Sequence, residues 1–230
     1  AVTERLRVGT SISLIAQHDP LVYAKDVATL DMLSGGRVEL GVGYGWNRAE
    51  MLNHGVDPRR RRAAFRDKLR AVEMLWSQDI AEFSGEFAAF SASWSWPKPV
   101  QGRRPKVLIG APARADVFGD IVELADGWMP STNFTDSELS DQIDQLRRTA
   151  SEAGRSPDEL SVTLLESRAA TRPLSVAEFV DQCPDGERIA RWVGLGVQRV
   201  VIGVPVDDPA AALHMLDHVA KLTTRDTATA

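Results

Sequence analysis

The sequence predicts an α/β protein built on parallel strands, either a doubly wound open sheet or a closed barrel. Three observations lead there. Short β-branched runs alternate with longer helical patterns through all 230 residues. Six strand–helix units follow one another, and each helix returns the chain to the same end of the sheet. The composition, 43% hydrophobic and 26% charged, suits one domain with a single core that needs no disulfide or structural metal.

The first strand is read over Arg5–Thr10. The first helix runs from Pro20 to Leu33: Asp19 supplies the N-cap, Pro20 occupies the first turn, and Ser34-Gly35-Gly36 stops it. Arg37–Gly43 is the second strand, and a long Arg-rich helix covers Pro58–Trp76. Residues 79–99 break the rhythm. There Phe83, Phe87, Phe90, Trp94 and Trp96, spaced by small and polar residues, predict an aromatic hairpin or loop insertion within a single 1–230 domain. Lys106–Gly110 is the third strand, followed by a helix over Ala115–Ala125 and a short fourth strand at Gly127–Pro130. Leu139, Ile143, Leu146 and Ala150 keep helical spacing within Thr135–Ala153. Leu160–Leu165 and Arg199–Gly203 are the last strands, with helices over Gly186–Leu195 and Pro209–Leu222 and a frayed tail from Thr223.

Several function classes are disfavoured. A net charge of −5 and an isoelectric point near 5.5 favour neither nucleic acid nor an anionic membrane. No apolar run approaches membrane-spanning length, and the lone Cys183 fits a reducing cytoplasm. No metal site is expected. His214 and His218 sit four apart on a predicted helix without a third ligand, and read as polar residues on its face. A dinucleotide site is disfavoured because Gly41-Val42-Gly43-Tyr44-Gly45-Trp46 has tryptophan where the third glycine belongs.

If the sheet closes into a barrel, chemistry gathers at the strand C-termini. Those ends read Thr10-Ser11, Gly43-Tyr44-Gly45-Trp46, Gly110-Ala111-Pro112-Ala113, Pro130-Ser131-Thr132, Glu166-Ser167-Arg168 and Gly203-Val204-Pro205. Small residues let backbone N–H groups approach a ligand, or simply permit tight turns. With no nucleophile triad and no paired carboxylates among them, the ends fit a cofactor that brings its own chemistry. Glu50, Trp46, Asn47 and Tyr44 are the side chains expected at the mouth, against a reading of Glu50 as a helix cap and Trp46 as packing. His18 is a further candidate base.

The ordered motifs Thr3–Thr10, Thr29-Leu30-Asp31-Met32-Leu33-Ser34-Gly35-Gly36-Arg37, Leu40–Trp46 with Glu50, Pro97-Lys98-Pro99-Val100-Gln101, Ile109-Gly110-Ala111 and Ala125-Asp126-Gly127-Trp128 resemble the luciferase-like monooxygenase family. The likeness covers about residues 3–130 and points to the actinobacterial branch. It implies a (β/α)8 TIM barrel and an oxidoreductase using coenzyme F420 or, alternatively, reduced FMN. It implies a cofactor-binding set of Ser11, Ile12, Gly43, Tyr44, Gly45, Trp46, Gly110, Ala111 and Ala113. Ser11-Ile12 matches a bulge, often with a cis peptide, that presses on the ring. The Gly110–Ala113 loop matches the phosphate loop, although the family often has glycine where Ala111 stands, and Pro112 has no N–H to give. Arg59–Arg62 either meets the acidic tail of F420 or is a solvated helix start. Arg37, Asp126 and Trp128 are read as structural, through an ion pair and core packing.

Aligned this way, residue 3 falls at the run-up to the family's third strand, so about six of eight βα units are expected in the chain. Such a sheet implies a fragment, a rearranged fold, or a homo-oligomer that covers the gap. The leading expectation is hydride transfer between F420 and a small organic substrate. The alternatives are an FMN monooxygenase, a non-catalytic cofactor-binding homologue, or an unrelated barrel enzyme holding a phosphorylated metabolite near Gly203.

Overall fold

A computed structural model of the chain describes residues 2–102, 104–166, 183–204 and 209–224. The elements run β1 (Val8–Ser13), α1 (Pro20–Ser34), β2 (Val38–Val42), α2 (Arg48–Asn53), α3 (Arg61–Ser77), the hairpin strands β3 (Ile80–Ser84) and β4 (Ala89–Trp94), and β5 (Lys106–Ile109). They continue with α4 (Ala115–Leu124), β6 (Gly127–Trp128), α5 (Asp136–Glu152), β7 (Ser161–Glu166), α6 (Gly186–Gly194), β8 (Arg199–Ile202) and α7 (Pro209–Thr224). Six strands form one sheet in the order β1-β2-β5-β6-β7-β8, every ladder parallel. The sheet curls into a half-barrel. Arg199 on β8 reaches across the concave side to pair with Glu39 on β2, and Arg7 adds a second contact to Glu39 at 3.1 Å.

The core lies between the convex face and the helices. Val38, Leu40 and Val42 of β2 and Val107 and Ile109 of β5 pack with Phe65, Leu69 and Leu75 of α3, Phe118 and Ile121 of α4, and Ile143 and Leu146 of α5. Each such side chain contributes roughly 1.5–3 kcal/mol when fully buried. The α1 boundaries match the sequence signals: the Asp19 carboxylate accepts from Leu21 and Val22 N–H, and Gly35 takes φ +67° at the C-cap. In α5 the Thr135 hydroxyl and Glu138 form a reciprocal capping box.

Two of the sequence motifs turn out to be one joint. Asp31, fully buried at the end of α1, accepts from Val100 N–H at 2.8 Å and from Gln101 Nε2 at 2.7 Å. Gln101 also donates to Val38 O, so the segment before β5 is sewn to the start of β2. The aromatic insertion is a hairpin with its own two-stranded sheet, anchored by Asp67 of α3, which accepts from Phe87 and Ala88 N–H.

Three expectations need correction. The first strand is not Arg5–Thr10 but Val8–Ser13: the ladder to β2 begins at Val8 opposite Val38 and continues past Thr10 through a bulge. The stretch before the Arg-rich helix carries the extra helix α2, capped by Asn47. The structural ion pair is made by Asp126 with Arg104, whereas Arg37 donates to the Ser34 and Leu6 carbonyls. Trp128 packs in the core as read. Ser167, Arg168, Pro205 and the tail beyond 224 lie outside the described residues.

Candidate functional site

At the C-terminal ends of β1, β2, β5 and β7 lies a cavity of about 590 Å³. Of the residues the sequence assigns to a cofactor, Ser11, Ile12, Gly43, Tyr44, Gly45, Trp46, Gly110 and Ala111 line it; Ala113 instead packs against the core. Leu14, Arg61, Pro112 and Leu165 complete the wall.

The floor is built by the β1 bulge. Its register passes from Thr10 opposite Leu40 to Ser13 opposite Val42, so one residue is extra, and the Ser11–Ile12 peptide is cis. The Ile12 side chain seats on bare backbone. A methyl added at Gly43 would lie 3.1 Å from Ile12 Cγ2, and one at Gly110 would lie 3.0 Å from Ile12 Cγ1 and overlap its Cδ1. The two glycines are therefore a notch for Ile12.

After β2 the loop turns at Gly45, where φ is +83°, a region open to glycine. Trp46 then projects outward, 87% exposed, so it forms the mouth and does not pack. Asn47 caps α2 through Oδ1, accepting from Ala49 and Glu50 N–H. The cap is thus Asn47 and not Glu50, and neither lines the cavity. Tyr44 points its hydroxyl away from the cavity, donating to Asp120 Oδ2 at 2.6 Å, with its ring edge-on to Phe65. Burial, and then the Asp120 carboxylate, push the Tyr44 pKa far above its ordinary value. It stays protonated and offers the cavity no base.

The four consecutive arginines divide their roles. Arg62 takes Asp120 through Nε and Nη2, both at 2.7 Å, and Arg60 pairs with Glu86. Arg61 lines the cavity and its Nη1 donates to the Pro58 carbonyl at 2.7 Å, whereas Arg59 is exposed and lines a separate recess with Arg60, Arg62 and Arg66. Among the described residues neither the Arg59 nor the Arg61 guanidinium pairs with a carboxylate, although the Arg59 N–H donates to Asp57 Oδ1 at 2.9 Å. On the opposite rim, Gly110 N–H donates to Val42 O, and the Ala111 carbonyl accepts from Trp128 Nε1 at 2.9 Å. The N–H groups of Ala111 and Ala113 meet no acceptor among the described residues, and α4 begins without a side-chain cap. Pro112, which stands between them and lines the cavity, has no N–H to add.

The remaining candidates lie elsewhere. His18 follows a 3₁₀ turn and is exposed, away from the cavity; burial, His54 and Lys68 lower its pKa. His214 and His218 sit on α7, and among the described residues no three His, Cys, Asp or Glu side chains are placed to hold a metal ion. Sequence reasoning passed over Leu14 and Leu165, although Leu165 alternates with the core-facing Val162 and Leu164. Asp120 carried a usable signal: an acidic residue inside the apolar stripe Val117, Phe118, Ile121, Leu124.

A family model described as luciferase-like monooxygenase matches residues 1–178. An uncharacterised protein of Mycobacterium tuberculosis is 42% identical over 219 residues, spanning 94% of this chain and 71% of that protein. An FMNH2-dependent dimethylsulfone monooxygenase of Pseudomonas putida is 31% identical over 159 residues, 67% of this chain and 42% of that one. Among solved structures, an F420-dependent secondary alcohol dehydrogenase, in complex with an F420–acetone adduct, superposes with a TM-score of 0.75 at 17% identity. It covers 96% of this chain and 80% of its own. No helix among the described residues is long and apolar enough to cross a membrane.

Proposed function

The chain belongs to the luciferase-like monooxygenase family, and on that premise we propose that its cavity takes coenzyme F420 and serves hydride transfer to or from a small organic substrate. The observation that carries the proposal is the donor set. One wall is apolar, from Ile12, Leu14 and Leu165; the rim offers the unspent N–H of Ala111 and the guanidinium of Arg61, which has no carboxylate partner among the described residues. An apolar ring face with a phosphate on the rim fits those groups.

Bound there, the deazaflavin supplies hydride exchange at its ring C5 with an alcohol, a hemiacetal or an activated double bond. The chain's own part is to bind and orient. Ile12 would hold the ring side through the glycine notch, and Arg61 and the Ala111 N–H would hold the anion. F420 is preferred over FMN because its acidic tail extends past its phosphate and gives the cationic Arg61 at the rim a further partner. The fold shared with an F420-dependent dehydrogenase points the same way. Reduced FMN is the second reading, favoured by the 31% identity to an FMNH2-dependent monooxygenase.

The test is a parallel fluorescence titration of the purified protein with F420 and FMN. Micromolar F420 binding with much weaker FMN binding is expected. Preference for FMN would replace the proposal with the second reading, and binding of neither would remove both.

A further inference from the structure

We propose that Asp120 is the positioning residue of this cavity: from a helix behind the site, its buried carboxylate fixes the loop that carries Tyr44 and the direction of Arg61. Asp120 sits on the core-facing side of α4 with no exposed surface. A carboxylate there is costly unless donors surround it. Its donors come from two other elements. The Tyr44 hydroxyl reaches Oδ2 at 2.6 Å from the loop after β2, Arg62 donates to both oxygens, and Arg66 donates to Oδ1. Arg62 also holds the Asp116 carbonyl in the first turn of α4 at 2.9 Å.

Two consequences reach the cavity. Tyr44 stands between Gly43 and Gly45 and is the one side chain through which that turn can be tied to the scaffold; the turn in turn aims Trp46. Arg61 precedes Arg62 at the start of α3, and successive helical residues point about 100° apart. Clamping Arg62 against α4 therefore turns Arg61 toward the cavity, which it lines instead of pairing with a neighbouring carboxylate. Asp120 does not itself line the cavity, yet it sets two groups that do.

The inference rests on the cavity being a cofactor site, and its test is chosen to separate the two. The chain has two tyrosines, Tyr23 and Tyr44, so carbon-13 labelling of the tyrosine Cζ gives two signals. Asp120→Asn and Tyr44→Phe are compared with the unaltered chain by that signal, by backbone amide spectra, and by titration with F420 and FMN. In Asp120→Asn the Tyr44 signal is expected to move and that of Tyr23 to stay. The amides of Gly43, Gly45, Trp46 and Arg61 are expected to shift or broaden, and the dissociation constant of the bound cofactor to rise about tenfold, the scale of one lost hydrogen bond to a charge.

Tyr44→Phe keeps both arginine pairs, so the fold is retained, and the loop amides alone move, with a rise of about threefold. Loop amides that stay in place in both variants overturn the proposal, as does unchanged affinity when they move. If Asp120→Asn does not fold, Tyr44→Phe decides by the same criteria. If the unaltered chain binds neither cofactor, the proposed function fails, and the loop and Arg61 amides alone decide the positioning role.

Discussion

Gly110→Ala tests the notch that seats the cavity floor. The backbone at Gly110 is not in the left-handed region, so alanine meets no conformational penalty there, and the smaller entropy of its unfolded chain favours folding by roughly 0.4–1 kcal/mol. The cost is local: the new methyl overlaps Ile12 Cδ1 and sits 3.0 Å from Cγ1. Both atoms belong to the free end of a side chain, so Ile12 can swing away, at roughly 1–3 kcal/mol for overpacking with its off-rotamer strain included. The net expected loss is about 1 kcal/mol, or about 2–4 °C in Tm for a chain of this size. The larger effect falls on binding, because Ile12 lines the cavity and a displaced side chain enters it. A rise of at least about tenfold in the F420 dissociation constant is expected, the equivalent of about 1.4 kcal/mol. Ile12→Val in the same chain removes Cδ1 while keeping Cγ2 against Gly43, and should restore most of both losses. The assay is a double-mutant cycle, read by denaturant unfolding and by fluorescence titration. Wild-type affinity in Gly110→Ala, or a loss equally large in the double variant, would refute the notch.

Glu39 gives a pH dependence with a defined sign. Burial alone would raise its pKa, but the hydrogen bond and charge of Arg199, with Arg7 and Lys106, outweigh it and hold the carboxyl below 4.5. The stability it contributes is therefore complete above about pH 4.5 and is lost as the pH falls through the lower folded value. Urea midpoints measured from pH 6 to pH 3 should drop less steeply in Glu39→Gln than in the unaltered chain. Asp67→Ala should release the aromatic hairpin. Phe87 and Ala88 amide exchange would accelerate at least about tenfold, the scale of one lost hydrogen bond to a carboxylate, while Ile109 amide exchange in the central strand stays slow. Equal acceleration at both places would mean that Asp67 supports the whole domain.

The site was partly legible because its backbone requirements are written as residue types. Gly43, Gly45 and Gly110 stand at predicted strand ends, where small residues allow close approach or a tight turn, and the family likeness assigned them to the cofactor. The Asp19–Pro20 opening and Gly35-Gly36 close of α1 were equally readable, being decided within one turn. The first strand was misplaced because Ser11-Ile12-Ser13 has no β-branched run. Its pairing depends on where Ile12 lodges, and that depends on glycines about thirty and a hundred residues away. The same distance hid the role of the arginines: as neighbours Arg59–Arg62 look alike, and only Glu86 and Asp120, from other elements, separate the paired from the unpaired.

By itself the sequence determined the parallel βα order, the helix ends and the residue types at the strand ends, because periodicity and capping act over a few residues. The family likeness of its ordered motifs pointed to the barrel architecture. Only the tertiary structure decided that Asp31 and Gln101 form one joint, that Tyr44 turns its hydroxyl to Asp120, and that Arg61 is left facing the cavity. Each of those outcomes is a competition among buried polar groups for partners far apart in the chain, and such a competition is settled only when the elements pack.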